Sequence, residues 1–226
     1  MTGPGFWRQV REIARKDLMI EGRAGEALYI TVPFGAVALM LIPLAIGTDK
    51  PLLARVGPGM FLAVALLFGM LVAFRQTATD GPAQRELLVL LGTDPAATFV
   101  GRAATSMLLM LVFELVLVPV TILLYNPGRI DRWPWLALVI VLLASGLSLV
   151  GTLAGSVTVG LKTRSTLTPL LVAPLAMPML LAAGQVVEAL RAGTSILVWT
   201  LMLVTINLAM AVIGVATAKT LEESSI

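Results

Sequence analysis

The chain has 226 residues, of which 58% are hydrophobic and only 13% charged, against about 25% in an ordinary soluble domain. Mean hydropathy is +0.96, and nearly uncharged runs of about 20 residues recur, so the chain reads as a polytopic membrane protein covered by lipid. Cys and His are absent, which removes disulfides, thiolate metal sites, the commonest haem ligand and the usual general base. The net charge of +3 is too small for a nucleic-acid footprint, and no nucleic-acid partner is expected.

Residues 1–26 carry Arg8, Arg11, Arg15, Lys16 and Arg23 among Glu12, Asp17, Glu21 and Glu26. Phe6, Val10, Ile13, Ala14 and Leu18 recur at helical spacing, which predicts an interfacial helix lying along the membrane. A signal peptide fits less well. The charged region is too long, the apolar run contains Pro33 and Pro43, and no A-x-A site follows, so an uncleaved anchor is expected.

Six spans follow: 27–46, 58–74, 104–125, 135–160, 168–188 and 196–216. The predicted fold is all-α, a single transmembrane permease-like domain with an N-terminal interfacial helix. Between the second and third spans lies the only long polar interruption, residues 75–103. There Gly81-Pro82 signals a turn and helix start. Gln84, Arg85 and Glu86 precede Leu87, Leu88, Leu90 and Leu91, which share one side of a short helix. Gly92 supplies its C-terminal stop, and Asp94-Pro95 supplies an N-cap and first-turn proline for the next helix. The segment reads as an amphipathic helix that a soluble partner can push. The same spacing fits an ordinary connecting loop whose leucines rest on the lipid interface.

Six spans put both termini on one side. The N-terminal segment, the central loop (Arg75, Arg85, Arg102), Lys162, Arg164 and Lys219 hold eleven of the 16 Lys and Arg residues. The other side has Lys50, Arg55, Arg129, Arg132 and Arg191 on short loops, 47–57, 126–134 and 190–195. By the positive-inside rule the termini and central loop are cytoplasmic, with Trp133 and Trp135 as outer interface anchors.

Within the spans, Glu114 stands mid-membrane, followed by Pro119. A charge there costs about 2.5–3.5 kcal/mol on insertion scales, so it faces protein or water, or is carried protonated. It reads equally as a neutral acid bonded between helices and as a functional group. Glu188 lies near the outer end of its span, within reach of water. The fourth span places Ser145, Ser148, Thr152 and Ser156 at short intervals with Gly151-x-x-x-Gly155. This is a packing seam within the bundle or between two copies, more than a substrate lining. Pro169, Pro174 and Pro178 each remove a backbone donor, predicting a kinked or broken fifth span. The chain shows no GxxxxGK[ST], HExxH or Ser–His pair, so driven work requires energy from a partner and no enzyme activity is expected.

Across its whole length the chain resembles the CcmB family of cytochrome c maturation proteins, the membrane permease of a bacterial ABC-type haem exporter. The likeness rests on Arg15-Lys16-Asp17-Leu18, Glu86-Leu87-Leu88, Asp94-Pro95, Gly101-Arg102, Glu114 with Pro119, the proline-rich fifth span and the short acidic tail. The motifs are individually soft; their order, the length and the six-span layout are specific. Arg102 stands where a lysine is expected, and Asp80 where a glutamate-rich stretch is usual; both keep charge.

The resemblance implies that Arg75–Asp94 is the coupling element, with Arg75, Asp80, Gln84, Arg85, Glu86, Leu87, Leu88, Asp94, Pro95 and Arg102 meeting a separate ATPase subunit. It implies two permease copies, two ATPases and a haem-handling membrane partner in the bacterial cytoplasmic membrane. ATP would sit on the partner. Haem would be a transported or partner-held ligand, and no cofactor or metal is assigned to this chain. The rival readings are a generic ABC-type exporter permease for lipid-like, polymer or drug substrates, a non-transporting scaffold, and a proton-coupled carrier using Glu114.

Overall fold

A computed structural model of the chain describes residues 5–47, 49–78, 92–128, 132–157 and 164–223. Among these, seven helices follow one another without a strand: α1 (Phe6–Ala24), α2 (Glu26–Ile46), α3 (Lys50–Ala78), α4 (Pro95–Tyr125), α5 (Trp133–Val157), α6 (Arg164–Ala192) and α7 (Leu197–Glu223). The helices α2 to α7 are long and apolar enough to cross a membrane. Their outward faces expose large apolar side chains such as Leu123 (84%) and Leu115 (69%), an arrangement suited to lipid and not to water.

The bundle is built around α4, which packs against α1, α2, α3, α5 and α7. Its inner face buries Phe99, Met110, Phe113 and Leu117, which take part in two apolar clusters. One cluster joins α3, α4, α5, α6 and α7; the other joins α2, α3 and α4. At 31 residues and 1.5 Å per residue, α4 is about 46 Å long. That exceeds the hydrocarbon core of about 30 Å, so the helix projects beyond it.

The helix limits and continuity bear on the sequence expectation at three places. The loop expected at 47–57 ends at residue 49, because Asp49 starts α3: its Oδ1 accepts from Leu52 N–H at 3.3 Å and its carbonyl from Leu53 N–H at 2.9 Å. Pro51 then falls in the first turn, where its missing N–H is harmless. Helix α4 starts at Pro95, as Asp94-Pro95 predicts, and runs without a break into the span expected from 104, because the polar turn containing Arg102 is helical although not lipid-like. The helix α6 is continuous through Pro174 and Pro178 and is not broken.

Gly25, at φ +60°, ends α1 in the left-handed conformation and turns the chain into α2. Helix α2 then runs beside α4: Gly35 packs against Phe113 and Leu117, and the Leu39 carbonyl meets Tyr125 Oη. Earlier in the chain, Ala14 lies beside Thr105. These two contacts are about ten residues apart on α4, roughly 15 Å of rise. The part of α2 up to Gly35 already supplies roughly 14 Å of it. The second half of α1 therefore adds almost no rise and lies across the bundle axis at the level of Thr105.

The seam on α5 faces inward. A side chain at Gly151 would collide with Ala73 of α3, and Gly146 is closed over by Met179 of α6 and Asn207 of α7. Ser148, Thr152 and Gly155 are buried on the same helix. Gly151→Leu is expected to lower the melting temperature of the detergent-solubilised protein, by an amount equivalent to about 1–3 kcal/mol of overpacking. Gly59→Leu, with nothing within 4 Å, should leave it unchanged; equal melting of the two variants would count against close α3–α5 packing.

Candidate functional site

The first two turns of α4 form a junction where the central polar segment re-enters the bundle. Gly92 has φ +65°, and Asp94 caps α4: its Oδ1 accepts from Ala96 N–H at 2.9 Å, with Pro95 opening the first turn. The Asp94 N–H donates to Gln9 Oε1 of α1 at 2.9 Å. About two turns on, a Cβ at Gly101 would lie 2.9 Å from Ile13 Cβ and 3.1 Å from the Val10 carbonyl, so only glycine admits α1 at this distance. Thr105 Oγ1 lies 3.4 Å from the Ala14 carbonyl and 3.1 Å from its own Gly101 carbonyl. On another side Phe99 fills the space over Gly214 of α7. The junction thus ties α4 to both ends of the chain. Arg102 is half-buried within it. Arg75 lies in the last turn of α3, while Asp80, Gln84, Arg85, Glu86, Leu87 and Leu88, with the helix expected there, lie outside the described residues.

Further along α4, beyond Thr105, Glu114 is 1% exposed. Neither carboxyl oxygen has a hydrogen-bond partner among the described residues, a costly state for a group excluded from water. One and two turns beyond it, Val118 and Thr121 line a cavity of about 270 Å³ between α3, α4, α5 and α6. Its walls include Phe61, Leu62, Leu143 and, at the rim, Trp133. The carboxyl therefore lies on the cavity side of α4, below an apolar chamber. The Ser106, Thr152 and Thr200 hydroxyls are likewise buried without a partner among the described residues.

The comparisons with known proteins bear on this arrangement. The sequence model of the family described as "CcmB protein" matches residues 8–224. The chain belongs to the CcmB family. It is 32% identical over 181 residues to "Heme exporter protein B" of Haemophilus influenzae, covering 79% of this chain and 80% of that protein. Proteins of the same name from Paracoccus denitrificans (32% over 198 residues, 86% and 89% covered) and Pseudomonas aeruginosa (31% over 186 residues, 80% and 81% covered) are also similar.

In this CcmB chain the intramembrane prolines sit inside continuous helices: Pro119 in α4, five residues past Glu114, and Pro169, Pro174 and Pro178 in α6. Two polar contacts between spans escaped the sequence reading. Tyr125, 1% exposed, donates its hydroxyl to the Leu39 carbonyl at 2.8 Å. That carbonyl is the one an α-helix would pair with the N–H of residue 43, which is Pro43, so tyrosine supplies the donor that proline lacks. The available signals were a proline inside the first span and a tyrosine ending the third. Asn207, buried in α7, accepts from Ser145 Oγ at 2.6 Å and donates to the Leu142 carbonyl at 3.2 Å and the Leu203 carbonyl at 2.9 Å. An asparagine within an apolar span was the signal there.

Tyr125→Phe should destabilise the protein by about 1 kcal/mol, read as a lower detergent melting temperature; no change would mean that the Leu39 carbonyl finds another donor. Glu114→Leu, which removes two unpartnered buried oxygens, should raise the melting temperature by an amount equivalent to about 1–3 kcal/mol. A fall on thermal unfolding would show that the carboxyl has a stabilising partner in the protein.

Proposed function

We propose that the chain is the membrane component of an ATP-driven complex that exports haem, or releases it to a carrier, for c-type cytochrome assembly. The family match across residues 8–224 carries the reading, and the "Heme exporter protein B" relatives cover most of the chain. In this reading a separate ABC-type ATPase docks on the segment 75–94. Arg75, Asp80, Gln84, Arg85, Glu86, Leu87 and Leu88 provide its contact, and Asp94, Pro95 and Arg102 anchor the far end. The junction favours such a role because Asp94 caps the helix that carries Glu114. A push on the segment is delivered to the core of the bundle.

Both termini and the segment 75–94 lie in the cytoplasm, as the Lys and Arg distribution favours, and the cavity with Trp133 opens towards the outer leaflet. The complex contains a second copy of this chain and a haem-handling membrane protein. With no His or Cys in the sequence, the iron could meet only weaker side chains of this chain, such as Met or Tyr. The haem is therefore held mainly by the partner, and this chain moves the structure that releases it.

Affinity purification from the native membrane should recover an ATPase together with a haem-absorbing membrane protein. An ATPase without any cytochrome c assembly factor would transfer the proposal to another exported substrate. Glu86→Lys should abolish cytochrome c assembly while the complex still inserts and the partner still binds ATP; unimpaired assembly would sink the coupling assignment.

A further inference from the structure

Helix α1 carries a charged face that neither the bundle nor the proposed coupling segment explains. Val10, Ile13 and Asp17 are buried against the bundle, and the opposite face is exposed. With successive residues 100° apart, Arg8, Arg11 and Arg15 share that outward face. All three are exposed, and none has an ion pair among the described residues. Lys16 instead pairs with Asp17 at 3.1 Å.

The two edges of α1 can be told apart. Gln9 reaches the Asp94 N–H, at the projecting end of α4; Lys16 and Arg23 lie on that edge. Ala14 meets Thr105, further into the bundle, and Trp7 and Leu18 lie on that opposite edge. Trp7 is 76% exposed. From Thr105 to Tyr125 is twenty residues, roughly 30 Å, which matches the hydrocarbon core of about 30 Å. With Tyr125 at one boundary, α1 lies at the other, its second half across the bundle axis. Trp7 and Leu18 then face the acyl chains, and the arginine face meets the layer of lipid phosphates. Glu12 lies just past Arg8, away from the hydrocarbon, and leaves the stripe net positive.

We propose that Arg8, Arg11 and Arg15, with Trp7 beside them, form a binding surface for the headgroups of anionic phospholipids that holds α1 against α4. Guanidinium groups make charge-assisted hydrogen bonds to phosphate, and a tryptophan at this depth anchors the helix. A soluble acidic partner fits less well, because the boundary level of α1 and the exposed indole on its inner edge both call for lipid. The inference needs only the membrane-spanning bundle, not the haem-export reading.

The test uses the full-length chain in nanodiscs, with Trp133, Trp135 and Trp199 changed to Phe so that Trp7 alone fluoresces. Trp7 should be quenched by brominated phosphatidylglycerol more than by brominated phosphatidylcholine at equal mole fraction, since each engaged arginine favours an anionic surface on the order of fivefold. The preference should fade in 0.5 M NaCl, where the Debye length falls to about 4 Å. R8Q/R11Q/R15Q should abolish the preference yet leave quenching by both lipids. Equal quenching with the arginines in place, or a preference that survives the triple variant, would overturn the proposal. So would a Trp7 that neither lipid quenches, the result expected if a protein partner covers α1. The salt titration on the arginine-intact protein keeps the test decisive even where the triple variant does not fold.

Discussion

Lipid offers no hydrogen bonds, so a backbone carbonyl released by a proline inside a span must find its donor within the protein. The spans here contain several prolines, and Pro43 shows how the constraint shapes the bundle. The carbonyl it frees, on fully buried Leu39, is met by the hydroxyl of Tyr125 at the end of α4. To reach it the tyrosine ring passes Gly57 of α3, where a Cβ would lie 2.6 Å from the Tyr125 Cβ. One missing N–H in α2 thus fixes the identity of a residue on α4 and the size of a residue on α3. The relation spans 86 positions, and three helices are registered by it.

Helix α4 turns that local solution into a global one. At its Tyr125 end it is pinned to α2. At its Asp94 end it is pinned to α1 by Gln9, Gly101 and Thr105, and to α7 by Phe99 over Gly214. Close approach at Gly101 and Gly214 lets helices from both ends of the chain meet one turn of α4. Close packing and backbone contacts thus contribute directly to holding this end of the bundle together.

The spans were legible because hydropathy reports contact with lipid, and six long apolar runs leave little room for another reading. Their ends were less legible for the same reason. The helical turns at Lys50–Gly57 and Pro95–Ala103 carry Lys, Arg or Thr, so an apolar window stops short although the helix does not. Asp49 and Asp94 both cap helices, but only Asp94 is followed directly by the proline that makes a cap readable. The amphipathic pattern of α1 was readable, but not that Val10 and Ile13 seat on Gly101. Periodicity gives a face, not its partner. Likewise Gly151-x-x-x-Gly155 announced close approach without naming Ala73, and of the kink or break that the fifth-span prolines suggested, α6 shows no break. The helix expected at 82–91 falls outside the described residues.

The position of Pro119 gives α4 two mechanically different parts. From Pro95 to Glu114 the helix contains no further proline, a stretch of roughly 30 Å. Any displacement applied at Asp94 therefore reaches Glu114 without an intervening hinge. Past Glu114, Pro119 interrupts the backbone ladder just where the helix enters the cavity wall with Val118 and Thr121, and bending concentrates at such interruptions. The unpartnered carboxyl thus sits at the end of the stiff segment, directly before the softer one. A polar group without a partner is destabilising in one arrangement, and it gains most from a rearrangement that admits water or a donor. That places two buried oxygens, without a partner among the described residues, where movement of α4 changes their surroundings most.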